Sequence, residues 1–297
     1  MNVWVQGARP RTLGAGCIPV LVGTAAAGHV IWWRFAFALL VALGLQVGVN
    51  LANDYFDGVR GVDTGARLGP PRITATGAAA PRVVLTASFA CLGVAAISGL
   101  VLALSTSPVP ILGVGALALL AAIGYSGGPR PYAGLGLGEL MVFVFFGLLA
   151  TCGTAFVMVR TVPASAWWGG AALGLLAVAI LAANNLRDIP TDTAAGKRTL
   201  AVRLGDRKTR VLYRACVVGA FAVIVIGVLT YIADERVGIT QWGMLALLAW
   251  VPAIRPMEAV GRATGRELVP VLAGTAATHA AFGLLLTLGL VLFRATT

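Results

Sequence analysis

The side chains that carry chemistry in this sequence fall into two clusters. The first, NLANDYFDGVRGVDTGARLGPPR from Asn50 to Arg72, holds Asp54, Asp57 and Asp63, three of only eleven acidic residues in the chain. The second, NNLRDIPTDTAAGKR from Asn184 to Arg198, repeats the plan: paired polar residues, an Asp four positions after the first Asn, another Asp, then bases. Both begin at the end of a long apolar segment, where each Asp deep in a helix costs on the order of 3 kcal/mol on an insertion scale. A helix puts Asn53 and Asp57 on one face with Asp54 on the adjacent turn, and the spacing Asn184, Asp188, Asp192 does the same. Oxygen donors in a chain with two histidines suit magnesium, which typically takes one or two carboxylates plus substrate phosphates. Arg67 and Arg72 after the first cluster, and Lys197 and Arg198 after the second, are placed to bind phosphate oxygens. Charges that merely solvate the ends of apolar segments would account for either cluster alone. Two clusters in matching order favour a shared ligand, magnesium and a diphosphate.

The elements that must position these residues are apolar helices. The 297 residues are 59% hydrophobic and 11% charged, with a mean hydropathy of +0.90, where soluble domains carry about 25% charged residues. The expected fold is all-α, a polytopic membrane protein forming one domain of two pseudo-repeats. Nine transmembrane helices are expected, at about 13–33, 35–56, 82–104, 109–125, 138–159, 165–187, 209–232, 240–254 and 269–293. The eighth is short and contains Pro252. Pro190 lies between Asp188 and Asp192 and lacks a backbone N–H, so the helix is expected to end or kink there, with Asp192 reaching the site from a loop. The four cysteines fall in apolar segments and read as small buried hydrophobes. The apolar run after Arg9 and Arg11 is too long for a signal peptide and reads as the first span.

Charge sets the expected orientation. A cytoplasmic N-terminus leaves only Arg34, Arg160, Arg236 and Arg294 on the opposite face and puts the other 18 of the 22 basic residues inside. Trp32, Trp33, Trp167, Trp168 and Trp242 then lie at outer ends, as an interfacial belt requires. Nine spans put the C-terminus outside, and the longer, carboxylate-rich inner loops put the active face on the cytoplasmic side of a cell (inner) membrane. The net charge of +11 follows from this asymmetry, so no nucleic-acid partner is invoked.

The paired aspartate stretches resemble the motifs of the UbiA superfamily of intramembrane prenyltransferases, most closely its 1,4-dihydroxy-2-naphthoate polyprenyltransferase branch. ArgProArgThrLeu at 9–13 with Pro19 and Gly23, NLANDYFDG at 50–58, YSGGPRPY at 125–132 and NNLRDIPTDTAAGKRTLAVRLG at 184–205 are all similar to that branch. The resemblance implies that Asn53, Asp54, Asp57 and Asp63 bind magnesium and the diphosphate, with Asn185, Asp188 and Asp192 doing so from the opposite side. It implies that Lys197 and Arg67 neutralise the leaving diphosphate, and that Tyr125 lies near the reacting carbon, where an aromatic face favours an allylic cation. Tyr125 reads equally as an anchor at the end of helix four. The first motif has five residues between Asp57 and Asp63, more than some superfamily members have.

The implied reaction is magnesium-dependent transfer of a polyprenyl group from polyprenyl diphosphate to 1,4-dihydroxy-2-naphthoate, with loss of diphosphate and CO₂, giving demethylmenaquinone. The naphthoate carboxylate has three candidate partners, Arg72, Arg130 and Arg198. Other aromatic acceptors (4-hydroxybenzoate, haem or chlorophyllide) and a transporter with central charges are the competing classes. Among the remaining candidates, His279 in mid-helix is expected to bond a neighbouring helix. Glu139 serves a helix dipole or faces the pocket, and Phe143, Phe145 and Phe146 are expected to pack rather than form an isoprenoid groove.

Overall fold

The computed structural model describes residues 2–61, 72–128 and 131–296. These residues contain helices and turns and no strand. In chain order they form α1 (Val3–Ala8), α2 (Pro10–Ala27), α3 (Trp32–Val59), α4 (Pro81–Ser105) and α5 (Pro108–Gly124). A 3₁₀ turn, Tyr132–Leu135, leads into one continuous helical segment. It is built of α6 (Gly138–Val142), a π-helical stretch over Phe143–Leu149, and α7 (Ala150–Val159). Then come α8 (Ala164–Ala194), α9 (Leu200–Ala233, kinked at Gly205), a 3₁₀ stretch over Gln241–Ala249, α10 (Trp250–Ala259), and α11 (Leu268–Thr296). Six segments are long and apolar enough to cross a membrane: α3, α4, Gly138–Val159, α8, α9 and Gly265–Thr296. Thr12–Ala27 and Pro108–Gly124 are shorter apolar helices. Large apolar side chains such as Ile97, Leu104, Leu120 and Ile232 project from the outer surface, as hydrocarbon solvent permits.

Two boundaries depart from expectation. The first helix stops at Ala27, because Gly28 takes the left-handed conformation (φ 67°) that closes a helix. More consequentially, α8 runs through Pro190 to Ala194. Pro190 lies within the last turns, where few backbone bonds remain to be lost. Asp192 therefore sits on the helix one turn beyond Asp188, not on a loop.

The central element is α8. In its most apolar window 72% of residues are buried, against 33–39% in the other five long segments. Its neighbours approach closely because the contacts are made of small residues. Gly147 lies against Gly174 and the Gly170 carbonyl, and Gly23 on α2 lies against the Thr151 carbonyl. At the far ends of the helices from the aspartates, arginines satisfy terminal carbonyls. Arg34 donates to Val157 and Met158 on α7 and to Ser105 on α4, and Arg294 donates to Ala26 on α2. Arg160 also reaches the Ser105 carbonyl at 3.5 Å, so three of the four bases outside the expected inner face have local structural duties.

Candidate active site

Helices α3 and α8 serve one cavity of 790 Å³, to which α3 brings Asp57 and α8 brings Asp188 and Asp192. From α3 the cavity receives Asn50, Asn53 and Asp57, and from α8 it receives Asn184, Asn185, Asp188 and Asp192. The rest of the wall is mostly apolar, drawn from α2, α3, α4, α5 and the 138–159 segment. A polar site thus opens onto a long greasy chamber.

The two clusters meet at Asp57. Its Oδ2 lies 3.4 Å from the Lys197 ammonium, which belongs to the second motif, and 3.6 Å from the Arg72 guanidinium. Lys197 is brought there by the end of α8, where its backbone N–H donates to the Asp192 carbonyl at 2.8 Å. Asp188 is held by Arg187, whose Nε and Nη2 donate to the two carboxylate oxygens at 2.7 and 2.6 Å. Arg187 also donates to Asn184 Oδ1 at 2.9 Å. A carboxylate has about four lone-pair sites, so Asp188 keeps acceptor capacity towards the cavity. Sequence reasoning counted Arg187 only as a topogenic charge; its position beside Asp188 was the available signal.

Asp54 behaves differently from its neighbours. It is 2% exposed, does not line the cavity, and accepts the backbone N–H groups of Ile73 and Thr74 at 2.9 and 2.8 Å. In this structure Asp54 anchors the chain after the first motif back to α3. Asp54 is three residues before Asp57 and so its neighbour on the helix surface, but the backbone N–H groups of Ile73 and Thr74 take up both of its carboxylate oxygens. Asp63, Arg67 and Arg130 lie outside the described residues. Arg198 is exposed and away from the cavity, whereas Arg72 is buried and lines it.

Tyr125 lines the cavity at the end of α5, its ring edge-on to Tyr132 with centroids 5.4 Å apart. Tyr132 donates from its hydroxyl to the Ala121 carbonyl at 2.8 Å, and burial pushes its phenol up to about 12. It therefore stays neutral at any ordinary pH. Glu139 is buried off the cavity and accepts from Asn185 Nδ2 at 3.0 Å, fixing that amide's orientation. Phe145 and Phe146 line the cavity, while Phe143 turns to pack against Gly174. The expectation that all three only pack fails for Phe145 and Phe146; all three sit on the π-helical stretch, whose altered angular spacing sends Phe143 to α8 and the other two to the cavity. His279 is fully buried outside the cavity, and neither ring nitrogen has a partner among the described residues. The expected bond to a neighbouring helix is absent there. The four cysteines are free thiols, and Cys152 lines the cavity.

Comparison with known proteins matches this arrangement to one family. Residues 16–255 match the UbiA prenyltransferase family. The chain is 47% identical over 280 residues to the 1,4-dihydroxy-2-naphthoate octaprenyltransferase of Mycobacterium tuberculosis, covering 92% of this chain and 91% of that one. A UbiA homolog from Aeropyrum pernix K1, solved in its apo form, superposes with a TM-score of 0.71 at 17% identity, covering 96% of this chain and 99% of that one. A UbiA homolog from Archaeoglobus fulgidus, solved bound to DMAPP and Mg²⁺, superposes with a TM-score of 0.56 at 16% identity and the same coverage. With a family match across most of its length and a near relative at this identity, the chain belongs to the UbiA prenyltransferase family.

Proposed function

We propose that this protein transfers a polyprenyl group from polyprenyl diphosphate to 1,4-dihydroxy-2-naphthoate, releasing diphosphate and CO₂ and forming demethylmenaquinol, the quinol form of demethylmenaquinone. The observation that carries this reading is the joining of the two motifs, Lys197 against Asp57 at 3.4 Å, at the polar end of an apolar chamber. That geometry suits a ligand with an anionic head and a hydrocarbon tail. The near relative's name supports the naphthoate as acceptor.

The donor set fits magnesium. Asp57, Asp188, Asp192 and Asn53 offer only oxygen atoms, and Asn53 Oδ1 is buried without a partner among the described residues. Among those residues no three His, Cys, Asp or Glu side chains converge on one point; magnesium typically takes one or two carboxylates and completes its shell with waters and substrate phosphates. The proposed ligands are Asp57, Asp188 and Asp192, with Asp63 assigned to the same duty from the sequence motif. When bound, magnesium supplies positive charge to the departing diphosphate oxygens. Lys197 and Arg72 add charge at the same head group, and Arg67 is assigned there by its motif. Asn53 and Asn185 orient the head group by hydrogen bonding.

The apolar walls exclude water, which would otherwise capture the allylic cation. The Tyr125 ring lies in the cavity wall, where its face favours the developing positive charge. Attack by the carboxylate-bearing ring carbon, followed by loss of CO₂, returns the electron pair to the ring. No base is needed to remove a ring proton. The proposed setting is a cell membrane crossed nine times, N-terminus inside and C-terminus outside, with the site facing the cytoplasm.

The test is diphosphate release by the purified, bilayer-reconstituted protein. Release should require polyprenyl diphosphate, dihydroxynaphthoate and Mg²⁺ together, and Asp57→Asn or Asp188→Asn should lower kcat by at least about 100-fold. Turnover of 4-hydroxybenzoate with none of the naphthoate would overturn the acceptor. Undiminished function in both variants would overturn metal-dependent chemistry.

A further inference from the structure

A buried amide faces the cavity about two turns of α3 before Asn53. Gln46 lies on α3, seven residues before Asn53 and eleven before Asp57. At 1.5 Å per residue it is about 10 Å and about 16 Å farther along the helix than those two. It lines the cavity, is 8% exposed, and its Oε1 has no hydrogen-bond partner among the described residues. Of its cavity-lining neighbours on α3, Ala42, Leu45 and Val49 are apolar, and Asn50, one turn on, spends its amide nitrogen on the Ala8 carbonyl. On α2 the facing position is Gly16, where a Cβ would come 3.7 Å from the Gln46 Cβ. The close passage of α2 supplies no partner for the amide oxygen.

An unpaired buried amide is unfavourable by about 1–3 kcal/mol on protein mutational scales. In membrane helices such a residue ordinarily bonds across to another helix, and here none answers it. Nor can the prenyl tail, which is hydrocarbon throughout. The aromatic acceptor is the substrate that carries polar atoms into the apolar part of the chamber. One of its two hydroxyls, at ring position 1, is adjacent to the carboxylate and bonds to it internally. The hydroxyl at position 4 is free.

Resting on the function proposed above, we propose that Gln46 is the acceptor-recognition residue, its amide oxygen accepting the O–H at ring position 4. The bond selects a ring hydroxylated at both positions over one that lacks the second hydroxyl. It also draws the proton towards Gln46, which raises electron density on the ring that attacks the allylic centre.

The test uses the full chain in bilayers and two acceptors, 1,4-dihydroxy-2-naphthoate and 1-hydroxy-2-naphthoate. Dissociation constants are read from naphthoate fluorescence, and diphosphate release is followed separately. Gln46→Leu should weaken the dihydroxy acceptor about tenfold while changing the monohydroxy one less than twofold, with the KM for polyprenyl diphosphate unaltered. Gln46→Met, nearer in volume, carries the same expectation should the leucine variant fold poorly. Equal weakening of both acceptors, or of neither, overturns the role of Gln46. Failure of the unaltered protein to turn over the dihydroxy acceptor instead overturns the reaction on which that role rests.

Discussion

At the scale of single residues, Asp54 and Asp57 show how three positions on one helix separate structure from chemistry. Asp57 faces the cavity with Lys197 and Arg72, and Asp54 faces the backbone of Ile73 and Thr74. Hydrogen bonds to a charged partner contribute about 1.5–3 kcal/mol each. Asp54→Ala should therefore lower the thermal midpoint of the detergent-solubilised protein by a loss of about 3 kcal/mol, with the magnesium dependence of residual activity unchanged. A shifted magnesium requirement at wild-type stability would return Asp54 to the metal site. The motif NLANDYFDG made both aspartates conspicuous, but not their division of labour. Asp54 finds its partners about twenty residues later in the chain, a contact that spacing within the motif does not encode. Asp188 was equally visible, while the Arg187 fork that holds it was hidden among the bases that set topology.

At the scale of elements, the apolar lengths that a membrane demands made the helices readable, since a run long enough to span has few alternatives. What they did not reveal was local deviation. Pro190 predicted a break where α8 continues, and nothing in Phe143–Leu149 announced a π-helical stretch. That stretch is where the 138–159 segment meets α8 through glycines, and it puts Phe145 and Phe146 into the cavity wall. Close backbone approach at Gly147 is thus a condition for the site's shape as well as for packing. Gly147→Val should reduce the yield of folded protein and lower its thermal midpoint, because even a Cβ overlaps Gly174 and the Gly170 carbonyl. Gly113→Ala on α5, where a Cβ meets nothing within 4 Å, should leave both unchanged. Equal behaviour of the two variants would mean that α8 and its neighbour can separate without loss.

At the scale of the whole molecule, the open question is how the 240–259 region crosses the membrane. Among the described residues it is the one expected span that stands neither with the six long apolar segments nor with the two shorter apolar helices. Its geometry offers an account. Nine residues of 3₁₀ helix, Gln241–Ala249, rise about 18 Å at roughly 2.0 Å each, and ten of α-helix, Trp250–Ala259, rise about 15 Å. Together they reach about 33 Å, enough for a hydrocarbon core about 30 Å thick. A chain stretched in this way needs fewer residues to cross than an α-helix does. On the proposed topology its two ends lie on opposite sides. Glu235→Cys and Arg262→Cys, at exposed positions flanking it, provide the measurement. In intact cells a membrane-impermeant maleimide should label Glu235→Cys, and Arg262→Cys should react only after permeabilisation. The native cysteines are buried or half-buried and give the background. Labelling of both variants in intact cells would make the region re-entrant and reverse the assignment of everything after α9. The opposite pattern, with only Arg262→Cys labelled, would turn the whole molecule over and put the aspartate site on the outer face.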